Sequence, residues 1–313
     1  MNVAEVTRLL PARFGTVRSV ESIQVGLSGA GVHGVSTDSG DYVLRIVPVV
    51  DHGVWARELV VRRLTSEAGI APPLEWVDEA HGVTLTQRIG GQGFMPALAA
   101  PADRMRALGS LARTLAKLHA LPGEGLAPAD PIAMARATWL RQHERPGFPE
   151  WASAAPSHLD HAERLLADDT RRVPSHNDLN PANVLWDGER VWLVDWEQSG
   201  LTHPYYDMAA LSTFLMVDDE LGLQLLTVQE GAPLSTAQAE AFVALRRVAM
   251  VLYGAVFFSL VPELRAVVPE RIDDVPSMAE IYAMLGTGAL SLRSPEGQAV
   301  FGAAMLKRAV VGG

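Results

Sequence analysis

The stretch SHNDLNPANVL at positions 175–185, followed by LVDWE at positions 193–197, decides how the rest of the chain is interpreted. It holds the densest group of polar side chains in an otherwise apolar region. Asp178 lies five residues before Asn183, and Asp195 follows twelve residues later, after a predicted β-hairpin. Because the hairpin sets Asn183 and Asp195 on opposite sides of one turn, and oxygen ligands suit Mg²⁺, the pattern predicts a magnesium site.

Together, these residue types are the ones that phosphoryl transfer requires. A carboxylate orients or deprotonates the attacking hydroxyl, while an amide and a second carboxylate hold Mg²⁺ on the phosphates. Alone, Asp178 has a simpler interpretation as a turn cap, because Asp and Asn are common loop residues. The complete set is a far rarer coincidence. Glu197 is a further metal candidate, with an ordinary surface carboxylate as the alternative.

The first ninety residues have the pattern of a small antiparallel sheet with one helix. The segments rich in β-formers are 17–25, 35–37, 42–46, 74–77 and 83–89, and the helical pattern covers 54–67. Between the first two strands, positions 26–34 form a predicted loop of small residues, and 29–34 fit G-x-G-x-x-G. That motif alone is weak evidence and fits a plain hairpin equally well; no helix opens after it, which disfavours a dinucleotide site.

Beyond the glycine-rich stretch 90–93, which we interpret as a hinge, the pattern is mainly helical. Helical segments are predicted at 107–121, 135–141, 158–167, 204–215, 236–261, 277–285 and 296–310, and a hairpin at 184–186 and 191–194. The longest apolar run, 248–261, is shorter than the ~20 residues that cross a bilayer, so we expect a buried helix and no membrane partner. The fold class is therefore α+β, with lobes at 1–89 and 90–313.

Composition excludes several classes of protein. With 313 residues, 48% of them hydrophobic, the chain has enough apolar surface for a large core, which excludes a disordered protein. Its lack of cysteine excludes disulfides and thiolate chemistry, and the first fifteen residues lack a signal-type apolar block, so we expect a cytoplasmic protein. A net charge of −10 argues against nucleic-acid binding. Most of that charge lies beyond residue 90, which favours a neutral or cationic substrate, or reflects solubility alone.

The motif His176-x-Asp178-x-x-x-x-Asn183, followed by Asp195-x-Glu197, resembles the signature of the aminoglycoside phosphotransferase/choline kinase superfamily. Members of this superfamily share a bilobal protein-kinase-like fold. The resemblance covers most of the chain and weakens after about Phe214. It implies an N-lobe at 1–89, which is β-rich and carries the nucleotide phosphate loop. It also implies a mainly helical C-lobe at 90–313 with the catalytic loop, the metal site and the substrate pocket.

The resemblance also implies a role for each matching residue. Asp178 would be catalytic, His176 would brace its loop, and Mg²⁺ would be held by Asn183, Asp195 and Glu197. The residues that would bind ATP are Ser28, Gly29, Gly31, Gly34, Arg45, Glu58, Gln87 and Ile89. Arg45 departs from the lysine of protein kinases, but a guanidinium binds phosphate in a bidentate way and keeps its charge. Asn177 replaces an arginine of protein kinases and no A-P-E element follows, which disfavours a protein substrate.

The implied activity is ATP- and Mg²⁺-dependent phosphorylation of a small-molecule hydroxyl group. Choline, ethanolamine or thiamine is favoured by Asp195-Trp196-Glu197 and by the D-x-A element beginning at Asp207. An aminoglycoside or other antibiotic is the alternative acceptor, and a non-catalytic nucleotide-binding protein on the same fold is the alternative class. The oligomeric state stays open.

Secondary candidates have mainly structural interpretations. We expect Asp207 to accept backbone N–H groups near a helix start. Tyr205 and Tyr206 are candidates for the substrate wall. The tryptophans around the hairpin are core residues or, less simply, a face for a quaternary amine. The pair His158 and His161 is expected on an exposed helix face and not at a metal.

Overall fold

The computed structural model describes residues 1–23, 31–47 and 52–311. By its internal contacts the chain divides into two compact units. The first unit comprises Met1–Ala127 and Asn180–Ser199, and the second comprises Pro128–Leu179 and Gly200–Gly313. The expected lobe boundary after residue 89 stays a prediction. The internal contacts place residues 90–127 and the hairpin in the same unit as the N-terminal sheet.

The five strands expected in the N-terminal part form one antiparallel sheet of the first unit. Their order in the sheet is β1-β2-β3-β5-β4. The strands are β1 (Val17–Ser22), β2 (Gly31–Thr37), β3 (Asp41–Ile46), β4 (Leu74–Asp78) and β5 (Val83–Gln87). All five strands contribute side chains to one buried apolar cluster or pack against it, which places one face of the sheet on a core.

The predicted glycine loop is wrong over its last residues, because β2 begins at Gly31 and not after Gly34. Gly31 pairs with Ile46, and Gly34 pairs with Val43 on one side and Glu21 on the other. Pairing along both edges overrides the weak strand preference of glycine. A Cβ at Gly34 would lie 2.8 Å from Glu21 Oε1, so the close neighbouring side chain favours glycine here.

A short N-terminal helix that the sequence patterns did not predict covers the core of the sheet. This helix, α1 (Val3–Leu9), begins with a capping box formed by Asn2 and Glu5. Val6 on α1 belongs to the same buried cluster as Leu44 and Leu85 of the sheet. The sheet therefore has a closed apolar face of its own.

The rest of the first unit surrounds a short three-stranded sheet, ordered β6-β8-β9. Its helices are α2 (His52–Glu67), α3 (Phe94–Ala99) and α4 (Pro101–His119), and its strands are β6 (Gln92–Gly93), β8 (Val184–Trp186) and β9 (Val191–Leu193). The predicted hinge stretch thus contains a strand. Gly91 has φ +111°, and a Cβ there would lie 2.5 Å from the carbonyl oxygen of Trp186, so this close approach requires glycine.

The second unit is helical apart from the antiparallel pair β7 (Val173–Ser175) and β10 (Gly200–Thr202). Its helices are α5 (Pro131–His143), α6 (Pro156–Leu165), α7 (Tyr206–Phe214), α8 (Asp219–Glu230), α9 (Thr236–Ser259), α10 (Met278–Thr287) and α11 (Pro295–Val311). α9 packs against α5, α6, α7 and α11. By length and composition alone α9 could cross a membrane, but 78% of its most apolar window is buried, which agrees with the buried helix predicted there.

Candidate active site

Arg45 lies at the centre of a buried ion-pair cluster in the first unit. β3 pairs with β2 and β5 at this position, opposite Val32 and Thr84, so the Arg45 side chain is held in a defined direction and is 10% exposed. Its Nη1 donates to Glu58 Oε1 of α2 at 2.7 Å. The sequence-predicted pairing of Arg45 with Glu58 is therefore present.

A second guanidinium, which the sequence patterns did not indicate, shares the same carboxylate oxygen. Arg62 lies one helical turn after Glu58, and its Nε donates to Glu58 Oε1 at 2.8 Å. Burial lowers the pKa of Arg62, and the neighbouring positive charge of Arg45 lowers it further. The i,i+4 spacing of Glu58 and Arg62 on a helix was the available signal for this contact.

The hairpin β8–β9 fixes the backbone on both sides of the predicted metal ligands. Asn183 ends a short 3₁₀ helix, Pro181–Asn183, directly before β8. The N–H of Val194 donates to the carbonyl oxygen of Asn183 at 3.0 Å, which closes the hairpin between Asn183 and Asp195. As predicted, Asn183 and Asp195 lie on opposite sides of the open end of one hairpin.

Asp195 and Glu197 both approach Arg45. Nη2 of Arg45 lies 3.2 Å from Glu197 Oε2 and 3.5 Å from Asp195 Oδ1. Asp195 has φ +67°, a left-handed conformation that costs a non-glycine residue roughly 1–2 kcal/mol. Strained residues of this kind concentrate at functional sites, where the surrounding structure enforces them.

The donor set of this unit fits Mg²⁺. Asp195 Oδ1 is buried and has no hydrogen-bond partner within the described part of the chain. Its ion pair with Arg45 Nη2, at 3.5 Å, is not a hydrogen bond, so this oxygen keeps lone pairs that could bind a cation. Mg²⁺ is usually bound through one or two carboxylates together with phosphates and water, and Asp195 and Glu197 could supply such carboxylates. Asn183 and Asp195 would hold the ion, with Glu197 beside them.

The predicted nucleotide residues fall in three places. Gly31 and Gly34 lie in β2, while Ser28 and Gly29 lie outside the described residues. Gln87 is the last residue of β5, and Ile89 lies two residues after its end. The N–H of Gln87 donates to the carbonyl of Pro73 at 2.9 Å, so it is not available to a bound base. A role for these residues in nucleotide binding stays a prediction.

In the second unit, Asp207 fixes the loop that carries the predicted catalytic residue. Its Oδ2 accepts from the N–H of His176 and its Oδ1 from the N–H of Asn177, both at 2.8 Å. Asp207 is 1% exposed and lies in the first turn of α7. It therefore has the structural role expected for it, and the backbone that it holds includes a loop thirty residues earlier. Asn177, at φ +64°, turns the chain before Asp178.

Asp178 is half-buried and contacts a tyrosine that the sequence analysis did not single out. The hydroxyl of Tyr253, on α9, donates to Asp178 Oδ1 at 3.2 Å. Burial raises the pKa of Tyr253 well above its ordinary value, and the nearby Tyr206 and Asp178 raise it further. The signal available in the sequence was a single hydroxyl inside the apolar run 248–258.

The secondary candidates are mostly core residues. Trp186, Trp192 and Trp196 are buried, and Arg106 and Arg190 already cover the faces of the first two. A face open to a quaternary amine is therefore not present on these two rings.

The tyrosine wall predicted at Tyr205 and Tyr206 is wrong. Both side chains are fully buried, because the apolar α7 packs into the core of the second unit.

His158 is half-buried and His161 exposed, and Arg247 lies beside them at a cavity of about 390 Å³. A neighbouring guanidinium disfavours a metal ion there.

The chain belongs to the phosphotransferase enzyme family, whose sequence model matches residues 19–245. Among curated proteins, protein LicA of Haemophilus influenzae is 47% identical over 38 residues, which are 12% of this chain and 14% of that protein. The match thus spans about a seventh of that relative's length.

Solved structures share the fold over much greater lengths. A choline/ethanolamine kinase family protein from Mesorhizobium loti is 21% identical, with a TM-score of 0.66, over 97% of this chain and 99% of that chain. Macrolide 2′-phosphotransferase type I is 22% identical, with a TM-score of 0.58, over 85% of this chain and 96% of that chain. The α+β, protein-kinase-like fold predicted from the sequence is confirmed.

Proposed function

We propose that this protein is an ATP- and Mg²⁺-dependent phosphotransferase that phosphorylates the hydroxyl group of a small molecule. One observation carries the proposal: Arg45 bridges Glu58, at 2.7 Å, and Glu197, at 3.2 Å. In kinases, a strand cation paired with a helix carboxylate contacts the nucleotide phosphates. Membership of the phosphotransferase family supports the same class.

The roles of the residues follow from their chemistry. Arg45 would bind the α- and β-phosphates, and Asn183 and Asp195 would hold the metal ion. When bound, Mg²⁺ neutralises negative charge on the phosphates. Asp178 would accept a hydrogen bond from the acceptor hydroxyl, orient it and take up its proton. Most of the rate acceleration would come from this positioning and from charge neutralisation. We propose that the chain acts in the cytoplasm, where ATP is available.

For the acceptor we propose an amino alcohol such as choline or ethanolamine, or thiamine. The acidic part of the chain beyond residue 90 favours a cation over an anion. The fold similarity to a choline/ethanolamine kinase family protein supports the same class. An antibiotic acceptor is the second candidate, supported by the fold similarity to macrolide 2′-phosphotransferase.

The test is an ADP-release assay on the full chain with ATP and Mg²⁺. The acceptors are choline, ethanolamine, thiamine, homoserine, sugars, aminoglycosides and a macrolide. We expect one acceptor class to stimulate ADP release and to yield a phosphorylated product detectable by mass spectrometry. Stimulation by an antibiotic alone would select the second candidate. No stimulation by any acceptor, together with no thermal stabilisation by Mg·ATP, would contradict phosphotransfer.

Two variants separate the metal from the catalytic carboxylate. Asp178→Asn is expected to keep Mg·ATP binding and to lose turnover by several orders of magnitude, because the hydroxyl is no longer oriented. Asp195→Ala is expected to weaken Mg·ATP binding itself, measured as a smaller rise in melting temperature with Mg·ATP. If Asp178→Asn kept full activity, Asp178 would not be the catalytic residue.

A further inference from the structure

We infer that Tyr253 is a positioning residue that holds the carboxylate of Asp178 in its reactive orientation; the inference rests on the proposed function. The contact joins α9 to the loop after β7, both within the second unit. The hydroxyl of Tyr253 lies 3.2 Å from Asp178 Oδ1. An ionised carboxylate has no hydrogen to donate, so Tyr253 is the donor and Asp178 the acceptor.

The packing of Tyr253 makes it a rigid donor. Its side chain is buried, at 7% exposure, and its ring lies edge-on to Phe214 with the centroids 4.6 Å apart. Phe214 in turn stacks on Phe301 of α11. A phenol with two torsions, fixed in a close-packed aromatic cluster, cannot turn away from Asp178 without losing these contacts.

The chemical state of Tyr253 suits the same role. Its burial keeps the phenol protonated throughout the working pH range, because the charged form would be desolvated. A hydrogen bond from a neutral hydroxyl to an ionised carboxylate is about twice as strong as one between neutral groups. It therefore restrains rotation of the carboxylate about the Cβ–Cγ bond.

Holding the Asp178 carboxylate in place should affect the rate of phosphoryl transfer more than it affects nucleotide binding. A reacting group displaced by about 1 Å loses on the order of a hundredfold in rate. Nucleotide phosphates, in contrast, are assigned to Arg45 and the metal ligands of the first unit. Loss of the Tyr253 hydroxyl should therefore lower kcat and leave the KM for ATP unchanged.

The experiment compares Tyr253→Phe with Tyr282→Phe. Tyr282 is the matched control, because it is a half-buried tyrosine of the second unit whose hydroxyl donates to the carbonyl of Phe214 at 2.6 Å. For Tyr253→Phe we expect kcat to fall about tenfold, with the KM for ATP within about twofold of wild type. Tyr282→Phe, which breaks a hydrogen bond without touching Asp178, is expected to keep kcat.

A double variant tests whether Tyr253 acts through Asp178. In the Asp178→Asn background, Tyr253→Phe should produce no further loss of the residual turnover. A kcat equal to wild type, an equal loss in Tyr282→Phe, or a full tenfold loss in the Asp178→Asn background would each overturn the inference. The proposed function fails separately, by absence of acceptor-stimulated ADP release from the wild-type chain.

Discussion

At Arg45, the planar guanidinium makes its contacts through two different nitrogen atoms, whereas an ammonium group has only one. Nη1 donates to Glu58 while Nη2 approaches Asp195 and Glu197. With Arg62, the cluster has two cations and three carboxylates, so it carries one net negative charge. A bound Mg²⁺ would leave this cluster with one net positive charge for the nucleotide phosphates, and Arg45 lies beside the groups that would hold the ion.

Replacement of Arg45 by lysine tests this bridging. In Arg45→Lys, a single nitrogen replaces the two that contact Glu58 and the hairpin carboxylates, so we expect the bridge to weaken and the KM for ATP to rise about tenfold. Steady-state kinetics of ADP release measures it. Arg63→Lys on the same helix is the control, because its ion pair with Glu79 is exposed and contributes little. An unchanged KM in Arg45→Lys would show that the bridge is not used in nucleotide binding.

The carboxylate of Asp207 provides a second residue-scale prediction. Each of its oxygens accepts one backbone N–H, from His176 and from Asn177. In Asp207→Asn, one acceptor becomes an NH₂ group facing an N–H donor, so we expect a loss of about 2–3 kcal/mol in the free energy of unfolding. Urea denaturation measures this loss, and kcat should fall as the catalytic loop loosens.

Asp130→Asn is the matched control for Asp207. Asp130 caps α5, and a single oxygen, Oδ1, accepts from both Ile132 and Ala133. An asparagine retains that oxygen and is an equally good N-cap, so the stability should be unchanged. If both substitutions lowered the free energy of unfolding by the same amount, the two hydrogen bonds accepted by Asp207 would not be what stabilises the loop.

At the scale of elements, the sequence predicted most strands and helices because their signals are local. The β8–β9 hairpin was predicted to within one residue, since Asp187-Gly188 marks its turn between apolar triplets. Helix α8 was missed although Asp218 caps it and Gly231 ends it, because its apolar periodicity is short. The β2 boundary was missed because pairing with two neighbours outweighs local glycine preference.

The residues of the candidate site also divide into those that had a local sequence signal and those that had none. Asn183, Asp195 and the Arg45–Glu58 pair were predictable from spacing within short segments and from resemblance to a family. The contact between Tyr253 and Asp178 joins positions 75 residues apart, and an apolar helical pattern contains no information about such a partner. Long-range packing decides contacts of this kind, and periodicity only identifies the buried face.

The crossing of α9 and α11 gives the element-scale prediction. A Cβ at Gly254 would lie 2.6 Å from Leu306 Cγ and 3.0 Å from the carbonyl of Gly302. Gly254→Ala should therefore force the helices apart and lower the free energy of unfolding by about 1–3 kcal/mol. Gly286→Ala in α10 is the control, because no atom lies within 4 Å and alanine should stabilise that helix by about 0.5–1 kcal/mol. Equal effects at both positions would contradict close packing at the crossing.

At the scale of the whole molecule, wholly or partly buried histidines make both units sensitive to acid. Burial is the main cause that lowers the pKa of His33 in the first unit and of His158 and His203 in the second. For His203, which is 4% exposed, the hydrogen bond with Asp169 opposes this shift without reversing it. The three groups therefore change the stability of the molecule in the same direction.

The sign of the pH dependence follows from linkage. Below a pH of about 6.5, the unfolded chain binds protons at these histidines more readily than the folded chain does. The free energy of unfolding is therefore highest above that pH and decreases as the solution is acidified. Between pH 7.5 and 5.5, the free energy of unfolding should therefore fall, and His203, the least exposed of the three histidines, should contribute to that fall. Urea denaturation at both pH values measures this loss of stability, and His203→Gln should reduce the difference between them. Equal stability of the wild-type chain at the two pH values would mean that these histidines take up protons in the folded state as readily as in the unfolded one.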